Sequence, residues 1–96
     1  MHREFEPAPA PEDYEPPTSA SELLERYAAG ERHFQHAELG GAELAGVDLR
    51  DVNLEDADLE DADLSGADLR DAWLRSANLE EANLSGARLV NANFRG

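Results

Sequence analysis

The chain has 96 residues, no cysteine and a formal net charge of −14. This length corresponds to one small domain, and the lack of cysteine excludes disulfide bonds, thiolate metal sites and thiol nucleophiles. No apolar run approaches the ~18 residues of a membrane span, and the N-terminus lacks the features of a signal peptide. The acidic charge disfavours nucleic acid and anionic membranes as partners. Composition therefore predicts a cytoplasmic protein that binds neither nucleic acid nor membrane.

Residues 1–18 contain all five prolines, interspersed with acidic residues. Proline alternating with alanine among acids cannot form a core and favours extended chain. We therefore predict a disordered Pro/Glu-rich tail over residues 1–18. In the alternative, the aromatic side chains of Phe5 and Tyr14 anchor this segment on the domain or on a partner.

Residues 19–31 are predicted to form a short capping helix and a turn. Ser19 is a suitable N-cap with Glu22 three residues later, and Gly30 provides the stop. The apolar side chains between them, including Leu23 and Tyr27, lie on one side at helical spacing. Because so short a helix is marginal in isolation, we predict that it covers the open end of the structure that follows.

From residue 32 to residue 96 the sequence repeats every five residues. A leucine or phenylalanine recurs at every fifth position, a small apolar residue precedes it by two from Ala37 onward, and an acid or amide usually stands between them. A repeat of fixed period indicates a repeat architecture. We predict that the recurring large residues form a core ladder, which comprises Phe34, Leu39, Leu44, Leu49, Leu54, Leu59, Leu64, Leu69, Leu74, Leu79, Leu84, Leu89 and Phe94.

A period of five fits neither a helix nor a strand. Five residues advance about 140° around an α-helix, so the leucines would spiral over every face. On a strand, successive leucines would point to opposite faces. One core results if the chain turns a corner after every five residues. Because Gly46, Gly66 and Gly86 are twenty residues apart, four segments complete one square coil, with glycine at corners that need a positive φ.

The Ala-Asp/Asn-Leu series, with the lead-in Gly30-x-Arg32-x-Phe34, resembles the pentapeptide repeat family. The resemblance implies an all-β solenoid, a right-handed quadrilateral β-helix (pentapeptide repeat) of about three coils over residues 32–96. It implies little about activity, since some members mimic DNA and bind type II topoisomerases while others have no known activity.

In such a coil the outward residues sort into four flat sides. One side, built from residues 37–41, 57–61 and 77–81, carries acidic residues and no base. We refer to it as the acidic side. Its acidic residues are Glu38, Asp58, Glu60, Asp61, Glu80 and Glu81.

Trp73 occupies the outward position that acids and amides hold in most other segments. Two interpretations remain open. In the first, its ring lies over Asn53 and Asn93 in the same ladder, against the Arg75 guanidinium. In the second, Trp73 is an interface anchor, because exposed tryptophan is enriched at binding hot spots.

Phe94 falls in the last coil, which no helix or charged strand follows in the sequence. Such an end exposes core residues and open strand edges, which favour association. Two identical ends are self-complementary about a two-fold axis, and the family resemblance also implies end-to-end pairing. We predict a homodimer through the C-terminal coil with Phe94 at its interface. The alternative is that the sequence is a fragment whose cap was lost.

The sequence predicts no catalytic, cofactor-binding or metal-binding residue. General acid–base catalysis needs a pocket that separates two pKa values, whereas the carboxylate pairs lie on convex sides. His33 and His36 flank Phe34 without a third metal ligand. We expect them to be surface residues.

The sequence therefore favours a non-enzymatic interaction or scaffold module that binds protein partners through its flat sides. The rival is an acidic DNA-mimic regulator of a type II topoisomerase or another DNA-binding enzyme. Three coils span about 15 Å at strand spacing, whereas duplex DNA carries a charge about every 1.7 Å. A monomer therefore imitates too little DNA, and the rival function needs an end-to-end dimer.

Overall fold

The computed structural model describes residues 9–94 of the chain. The regular elements in this range are one α-helix and a series of isolated parallel β-bridges, without longer strands. Each bridge joins a residue to the one twenty positions later, such as His33 to Asn53 and Asn53 to Trp73. The chain thus completes one coil every twenty residues, which agrees with the spacing of the corner glycines. None of the described helices is long and apolar enough to cross a membrane.

The bridges divide the repeat region into coils and sides. We refer to residues 32–51, 52–71 and 72–91 as the first, second and third coils, and to the ends next to the first and third coils as the upper and lower ends. The second side comprises residues 42–46, 62–66 and 82–86, the third side 47–51, 67–71 and 87–91, and the fourth side 32–36, 52–56, 72–76 and 92–94. The four ladders are Glu38–Asp58–Asn78 on the acidic side, Glu43–Asp63–Asn83 on the second, Asp48–Asp68–Arg88 on the third, and His33–Asn53–Trp73–Asn93 on the fourth.

Each corner between two sides is a tight turn. The N–H of the residue three positions after a core residue donates to that residue's carbonyl, as from Ala42 to Leu39 at 3.0 Å. The residue before this donor has a positive φ, between 59° and 71°, and a positive φ at the third position is the signature of a type II turn. The corner residues with positive φ are His36, Gly41, Gly46, Asp51, Asp56, Asp61, Gly66, Asp71, Ser76, Glu81, Gly86 and Asn91.

The core residues point to a common axis and are buried from the upper end downward. From Phe34 to Leu74 each is at most 2% exposed. In the third coil, burial decreases, and Phe94 is 41% exposed. Phe94 holds a core position of the repeat but is exposed, as expected for the last coil, because no described residue packs below it. The half-buried core residues are Leu79, Leu84 and Leu89.

Helix α1 spans Ala20–Ala28. The Ser19 hydroxyl oxygen accepts the Glu22 N–H at 3.1 Å, so Ser19 is the N-cap, as predicted. The Glu22 carboxylate accepts the Thr18 N–H at 3.0 Å. This contact lies one residue earlier than in a capping box, and it ties the chain entering the helix to the first turn.

The C-terminal end of α1 closes with a Schellman motif. The N–H groups of Gly30 and Glu31 donate to the carbonyls of Tyr27 and Arg26, respectively, each at 3.0 Å. Gly30 has a φ of 103°, a conformation that glycine adopts without strain. The predicted stop at Gly30 is therefore the point at which the chain leaves the helix for the first coil.

Helix α1 packs on the upper end of the repeat region. Leu23 is fully buried and belongs to the same core cluster as Phe34 and the leucines of the coils. Leu24 and Tyr27 pack against this cluster. The apolar side of the helix therefore continues the core beyond the first coil.

The N-terminal segment, residues 11–18, also contacts the upper end. Tyr14 donates its hydroxyl to the Gln35 carbonyl at 2.7 Å, which is the contact that the anchoring alternative expects. Phe5 lies outside the described residues, as do the other residues up to position 8. The disordered tail stays a prediction.

Candidate functional site

The outward residue before each core leucine supports the following turn. Oδ1 of Asp58 accepts the Glu60 N–H at 3.0 Å, and Oδ1 of Asn78 accepts the Glu80 N–H at the same distance. Aspartate and asparagine serve equally in this contact, since it uses one short-chain oxygen. The turn therefore does not determine whether these positions are charged.

The charge at these outward positions nevertheless changes from coil to coil. Acids occupy the acidic, second and third sides of the first two coils, and amides and one base occupy the same sides of the third. Because the turns accept either residue type, this change needs an explanation outside local structure. The residues are Glu38, Glu43 and Asp48 in the first coil, Asp58, Asp63 and Asp68 in the second, and Asn78, Asn83 and Arg88 in the third.

The six carboxylates of the acidic side are all exposed. None makes an ion pair with a base within residues 9–94. The bridge between Glu38 and Asp58 stacks two like charges in adjacent coils, an unfavourable arrangement at the ~4.8 Å strand spacing. A cationic surface bound to this side would relieve that repulsion.

The third side neutralises its own carboxylates in the first two coils. Arg50 binds both oxygens of Asp48, each at 2.9 Å. Arg70 binds both oxygens of Asp68 at 2.9 and 2.7 Å. These charge-assisted bidentate contacts lower the pKa of Asp68 to about 2 and also lower the pKa of Asp48. In the third coil Arg88 has no ion pair among the described residues.

Trp73 lies in the ladder of the fourth side, between Asn53 and Asn93, and is half-buried. The Arg75 guanidinium carbon is 5.6 Å from the centroid of its ring, and Arg75 also pairs with Glu55. The contact with Arg75 agrees with the first interpretation, and the placement of the ring over Asn53 and Asn93 stays a prediction. The role of Trp73 as an interface anchor stays a prediction.

The two histidines near the first corner differ in exposure. His36 is exposed, with Nε2 3.9 Å from Oδ2 of Asp56, whereas His33 is half-buried and its Nδ1 has no hydrogen-bond partner. No group of three or more histidine or carboxylate side chains in residues 9–94 is placed to hold a metal ion.

The upper end is closed by tyrosine hydroxyls that replace backbone donors. Within the repeat, the carbonyl after a core residue accepts the N–H of a corner residue in the coil above. At the first coil, the Tyr27 hydroxyl donates to the Arg50 carbonyl and the Tyr14 hydroxyl to the Gln35 carbonyl, each at 2.7 Å. Two carbonyls that would lack a donor at this edge are thereby satisfied.

Pro17 extends the ladder of the acidic side above the first coil. In this ladder Asp58 donates its N–H to the Ala37 carbonyl, twenty-one positions earlier, at 2.9 Å. Glu38 donates to the Pro17 carbonyl with the same offset and distance. At the next position, Thr18 carries the N–H that donates to the coil above elsewhere in this ladder, and this N–H donates instead to the Glu22 carboxylate at 3.0 Å. The upper edge of this side therefore ends at Pro17.

Arg26 connects the parts of the upper end. Its Nε donates to Glu31 at 3.0 Å, and its Nη1 donates to Glu22 at 3.2 Å and to the Glu15 carbonyl at 2.8 Å. It lines a cleft of about 720 Å³ between the N-terminal segment, α1 and the first coil. The charged groups that Arg26 contacts are thus already paired with it. Its guanidinium carbon also lies over the rings of Tyr14 and Phe34, at 5.5 and 5.4 Å from their centroids.

The lower end has no comparable cover among the described residues. Val90 is 64% exposed, beside the exposed Phe94. In the coils above, the N–H groups of core residues and of corner residues donate to the next coil. At the lower end, the equivalent N–H groups make no hydrogen bond within residues 9–94. These groups belong to Leu79, Glu81, Leu84, Gly86, Leu89 and Asn91.

Neither Arg26 nor Pro17 was predicted as a closing residue, and Tyr27 was predicted on the apolar side of the capping helix but without its hydroxyl contact. One available signal was the place of Pro17, twenty residues before Ala37, a small position of the repeat. The bidentate pairs were also missed, although arginine stands two residues after aspartate at both Arg50 and Arg70.

The twenty-residue coils of five-residue segments define a solenoid, and comparison with known proteins agrees. The family model described as pentapeptide repeats matches residues 33–66 and 62–96, in 8 copies. The chain belongs to the pentapeptide repeat family, whose members form right-handed β-helices.

Two solved structures of the family are similar to this chain. The pentapeptide repeat protein alr5209 from Nostoc Pcc 7120 has 36% sequence identity, over 86% of this chain and 90% of that one, with a TM-score of 0.45. The pentapeptide repeat protein Rfr23 from the cyanobacterium Cyanothece 51142 has 29% identity, over 65% of this chain and 53% of that one, with a TM-score of 0.25. No curated protein matches the chain.

Proposed function

We propose that this protein is a non-enzymatic interaction module, built as a right-handed quadrilateral β-helix with α1 as its N-terminal cap. Membership of the family supports the β-helix, and the four ladders of bridges support its square section. The burial of Leu23 against the core supports the capping role.

The proposed binding surface is the acidic side, and the proposed partner is a protein with a basic surface. The contrast between two sides of the same solenoid carries this proposal. On the third side, arginines clamp Asp48 and Asp68, whereas the exposed carboxylates of the acidic side have no basic partner within residues 9–94. A flat surface of one charge attracts a partner of the opposite charge and accelerates its association.

A lysine-rich octapeptide is a suitable probe for this surface. We expect Asp58→Lys together with Asp61→Lys to abolish its binding, as measured by calorimetric titration at low salt. The matched control is Glu43→Lys together with Asp63→Lys on the second side, which changes the net charge equally. We expect the control to retain most of the binding. Equal losses in both variants would show that net charge alone attracts the peptide, and would contradict the proposal.

A second candidate function is mimicry of DNA by an end-to-end dimer. The observation that favours it is the lower end, where Phe94 and Val90 are exposed, backbone donors are unpaired and the outward ladder positions carry no acid. Two lower ends in contact would extend the solenoid to about 30 Å at strand spacing. The acidic sides would then cover a longer stretch of a DNA-binding groove.

Light scattering coupled to size-exclusion chromatography tests the dimer over a hundredfold range of concentration. We expect a dimer that Phe94→Asp converts to a monomer. Inhibition of topoisomerase supercoiling by the wild type, but not by the variant with Asp58→Lys and Asp61→Lys, would then support mimicry. A wild type that is monomeric at every concentration would exclude this second function and leave the first intact.

A further inference from the structure

The cleft at the upper end has the size of a small-molecule site. Its volume is about 720 Å³, within the range of about 300–1,000 Å³ that ligand pockets occupy. Its walls come from the N-terminal segment, from α1 with the loop that follows, and from the start of the first coil. Pro11 and Tyr14 supply apolar surface. The unpaired charges on these walls determine which ligand the cleft accepts.

Arg32 lines the cleft with a guanidinium that no carboxylate neutralises within residues 9–94. Its Nη1 donates to the carbonyls of Tyr27 and Glu31, at 2.9 and 2.7 Å, respectively. Its guanidinium carbon lies 3.6 Å from the centroid of the Tyr27 ring. Nε and Nη2 make no hydrogen bond in the same range and are accessible to solvent. Neutral groups thus hold the guanidinium in place, and N–H groups remain for an anion.

The five-residue repeat does not account for an arginine at this position. Val52 and Ala72 occupy the equivalent positions twenty and forty residues later, and both are buried in the core. Arg32 is only half-buried, because its side chain turns onto Tyr27 of α1. Its contact with the Tyr27 carbonyl is favourable at the C-terminal end of a helix. That contact uses Nη1 alone, so it does not explain the rest of the guanidinium.

The N-terminal segment contributes the opposite charge. Asp13 and Glu15 line the cleft and are exposed, and neither makes an ion pair within the described part of the chain. Glu22 and Glu31 also line the cleft, but both are paired with Arg26. The unpaired charges of the cleft are therefore one cation at the first coil and two anions on the segment.

A ligand with a carboxylate at one end and an ammonium at the other complements both sets of charges. A carboxylate binds the planar guanidinium through two parallel hydrogen bonds. A polyanion such as a nucleotide would be repelled by the two acids and by the net charge of −14. A sphere with the volume of this cleft is roughly 11 Å across, and two extended residues with an ion pair of about 2.8 Å at each end span roughly 12 Å. The dimensions therefore favour a dipeptide.

We propose that the cleft at the upper end is a binding site for dipeptides. Arg32 binds the terminal carboxylate, and Asp13 and Glu15 bind the terminal ammonium. The residues of the acidic side do not line this cleft, so the site is separate from the proposed protein-binding surface, and failure of either proposal leaves the other intact. Because the two ends of the ligand bind different elements, the ligand also joins the N-terminal segment to the first coil.

Calorimetric titration of the full chain with L-alanyl-L-alanine tests the site. We expect saturable binding of one dipeptide per chain. Acetylating the N-terminus of the peptide, or converting its C-terminus to an amide, should each weaken binding at least about tenfold, because each change removes a charge-assisted contact. No saturable binding in the millimolar range, or equal binding of the free and capped peptides, would overturn the proposal.

Arg32→Lys separates the geometry of the guanidinium from its charge. Lysine keeps the cation and an N–H for the Tyr27 carbonyl, but it cannot bind a carboxylate through two parallel hydrogen bonds. We expect binding to weaken at least about fivefold, equivalent to one hydrogen bond, and the preference for the free carboxylate over the amide to decrease. Arg88→Lys is the matched control, since Arg88 is exposed and does not line the cleft. Equal dissociation constants for Arg32→Lys and the control would contradict the role of Arg32.

Asp13→Asn together with Glu15→Gln tests the other end of the ligand. In this variant the free and acetylated peptides should bind within about twofold of each other, whereas the preference for the free carboxylate should remain, since the two contacts are independent. The control is Glu43→Gln together with Asp63→Asn on the second side, which changes the net charge equally and should retain both preferences. Equal weakening of all the peptides would indicate a purely structural role for the two acids and would overturn their assignment. The melting temperature of each variant shows whether the fold is retained.

Discussion

The upper end of this solenoid is capped, whereas its lower end is open among the described residues. At the upper end, Leu23 of α1 completes the core, and the hydroxyls of Tyr14 and Tyr27 replace missing backbone donors. At the lower end, core leucines are half-buried and backbone donors remain unpaired among the described residues. Every added coil again exposes core residues and unpaired backbone groups at its edge. A repeat therefore ends in a covered edge only where residues outside the repeat cap it.

The closing residues of the upper end are all departures from the repeat. Pro17 keeps the ladder offset through its carbonyl, but the N–H of the next residue, Thr18, donates to Glu22 and not to another coil. Arg26 holds the N-terminal segment, α1 and the following loop together. The lower end, by contrast, keeps the repeat and changes only its outward charges. We therefore expect the upper end to limit stability and the lower end to control association.

Core truncations should show the largest difference between the ends. Leu54→Ala should reduce the free energy of unfolding by about 2–5 kcal/mol, because Leu54 is fully buried. Leu89→Ala should cost only about 1 kcal/mol, because Leu89 is half-buried. Urea unfolding followed by circular dichroism measures both.

These measurements belong at protein concentrations below any dimerisation. At high concentration the cost of Leu89→Ala should increase, because a second copy would cover that side chain. A cost that is equal for both variants at low concentration would contradict the gradient of burial along the axis.

The next largest difference should be between alanine substitutions of Arg26 at the upper end and Arg88 at the lower end. Arg26 has a side chain only 19% exposed and bonds to both Glu22 and Glu31, so Arg26→Ala should lower stability by about 2 kcal/mol. Arg88→Ala should change it by less than about 0.5 kcal/mol, as for an exposed side chain without partners. Similar effects from the two substitutions, measured by thermal unfolding of the monomer, would argue against Arg26 as the connection of the upper end.

The tyrosine hydroxyls should each contribute a smaller amount. Tyr27→Phe and Tyr14→Phe keep the packed rings but leave the carbonyls of Arg50 and Gln35 without these donors. We expect each to reduce the free energy of unfolding by about 0.5–1.5 kcal/mol. Chemical denaturation provides the measurement, and loss in neither variant would contradict the replacement of backbone donors by hydroxyls.

Tyr14 also predicts a pH dependence. Burial raises its pKa to about 12, whereas an unfolded chain ionises tyrosine near pH 10. The unfolded state therefore loses its proton first, and stability that is full below pH 10 should decline between about pH 10 and 12. The decline should be shallower in Tyr14→Phe than in the wild type, and equal slopes would contradict a buried, neutral phenol.

The repeating part of the fold could be predicted from the sequence because it has one strong period. Leucine every fifth residue and glycine every twentieth are sufficient to give the coil length and the inward residues. Phe94 shows that the period alone does not determine burial, and its exposure agrees with the expectation for the last coil. The repeat assigns it to the core, but burial depends on what covers a residue, and nothing described covers Phe94.

The candidate sites were predictable only where they follow the repeat. Sorting the outward residues by side gave the acidic side, because each side recurs every twenty residues. The contacts of Arg26 and Tyr27 could not be read in this way, since they join residues of different elements at irregular separations. Such contacts depend on how α1 lies on the first coil, which no local pattern specifies.

The smallest expected effects distinguish two causes of low stability in the third coil. One is backbone strain at its corners, and the other is that no described residue covers its core from below. Glu81 occupies a corner with φ of 59°, which costs a residue with a side chain about 1–2 kcal/mol. Glu81→Gly removes this strain but adds freedom to the unfolded chain, so the net gain in stability should be about 0.5–1 kcal/mol. Glu81→Gln, which keeps the strain and removes only the charge, is the control and should have less effect in thermal unfolding.

Gly86→Ala makes the opposite change at the next corner, where φ is 69°. It should lower stability by about 1 kcal/mol, because a Cβ there would meet only ordinary contacts with Gly66 at 3.9–4.0 Å and the cost is confined to the backbone. If neither glycine variant changes the melting temperature, corner strain has no part in the weakness of this coil, and missing cover alone accounts for it.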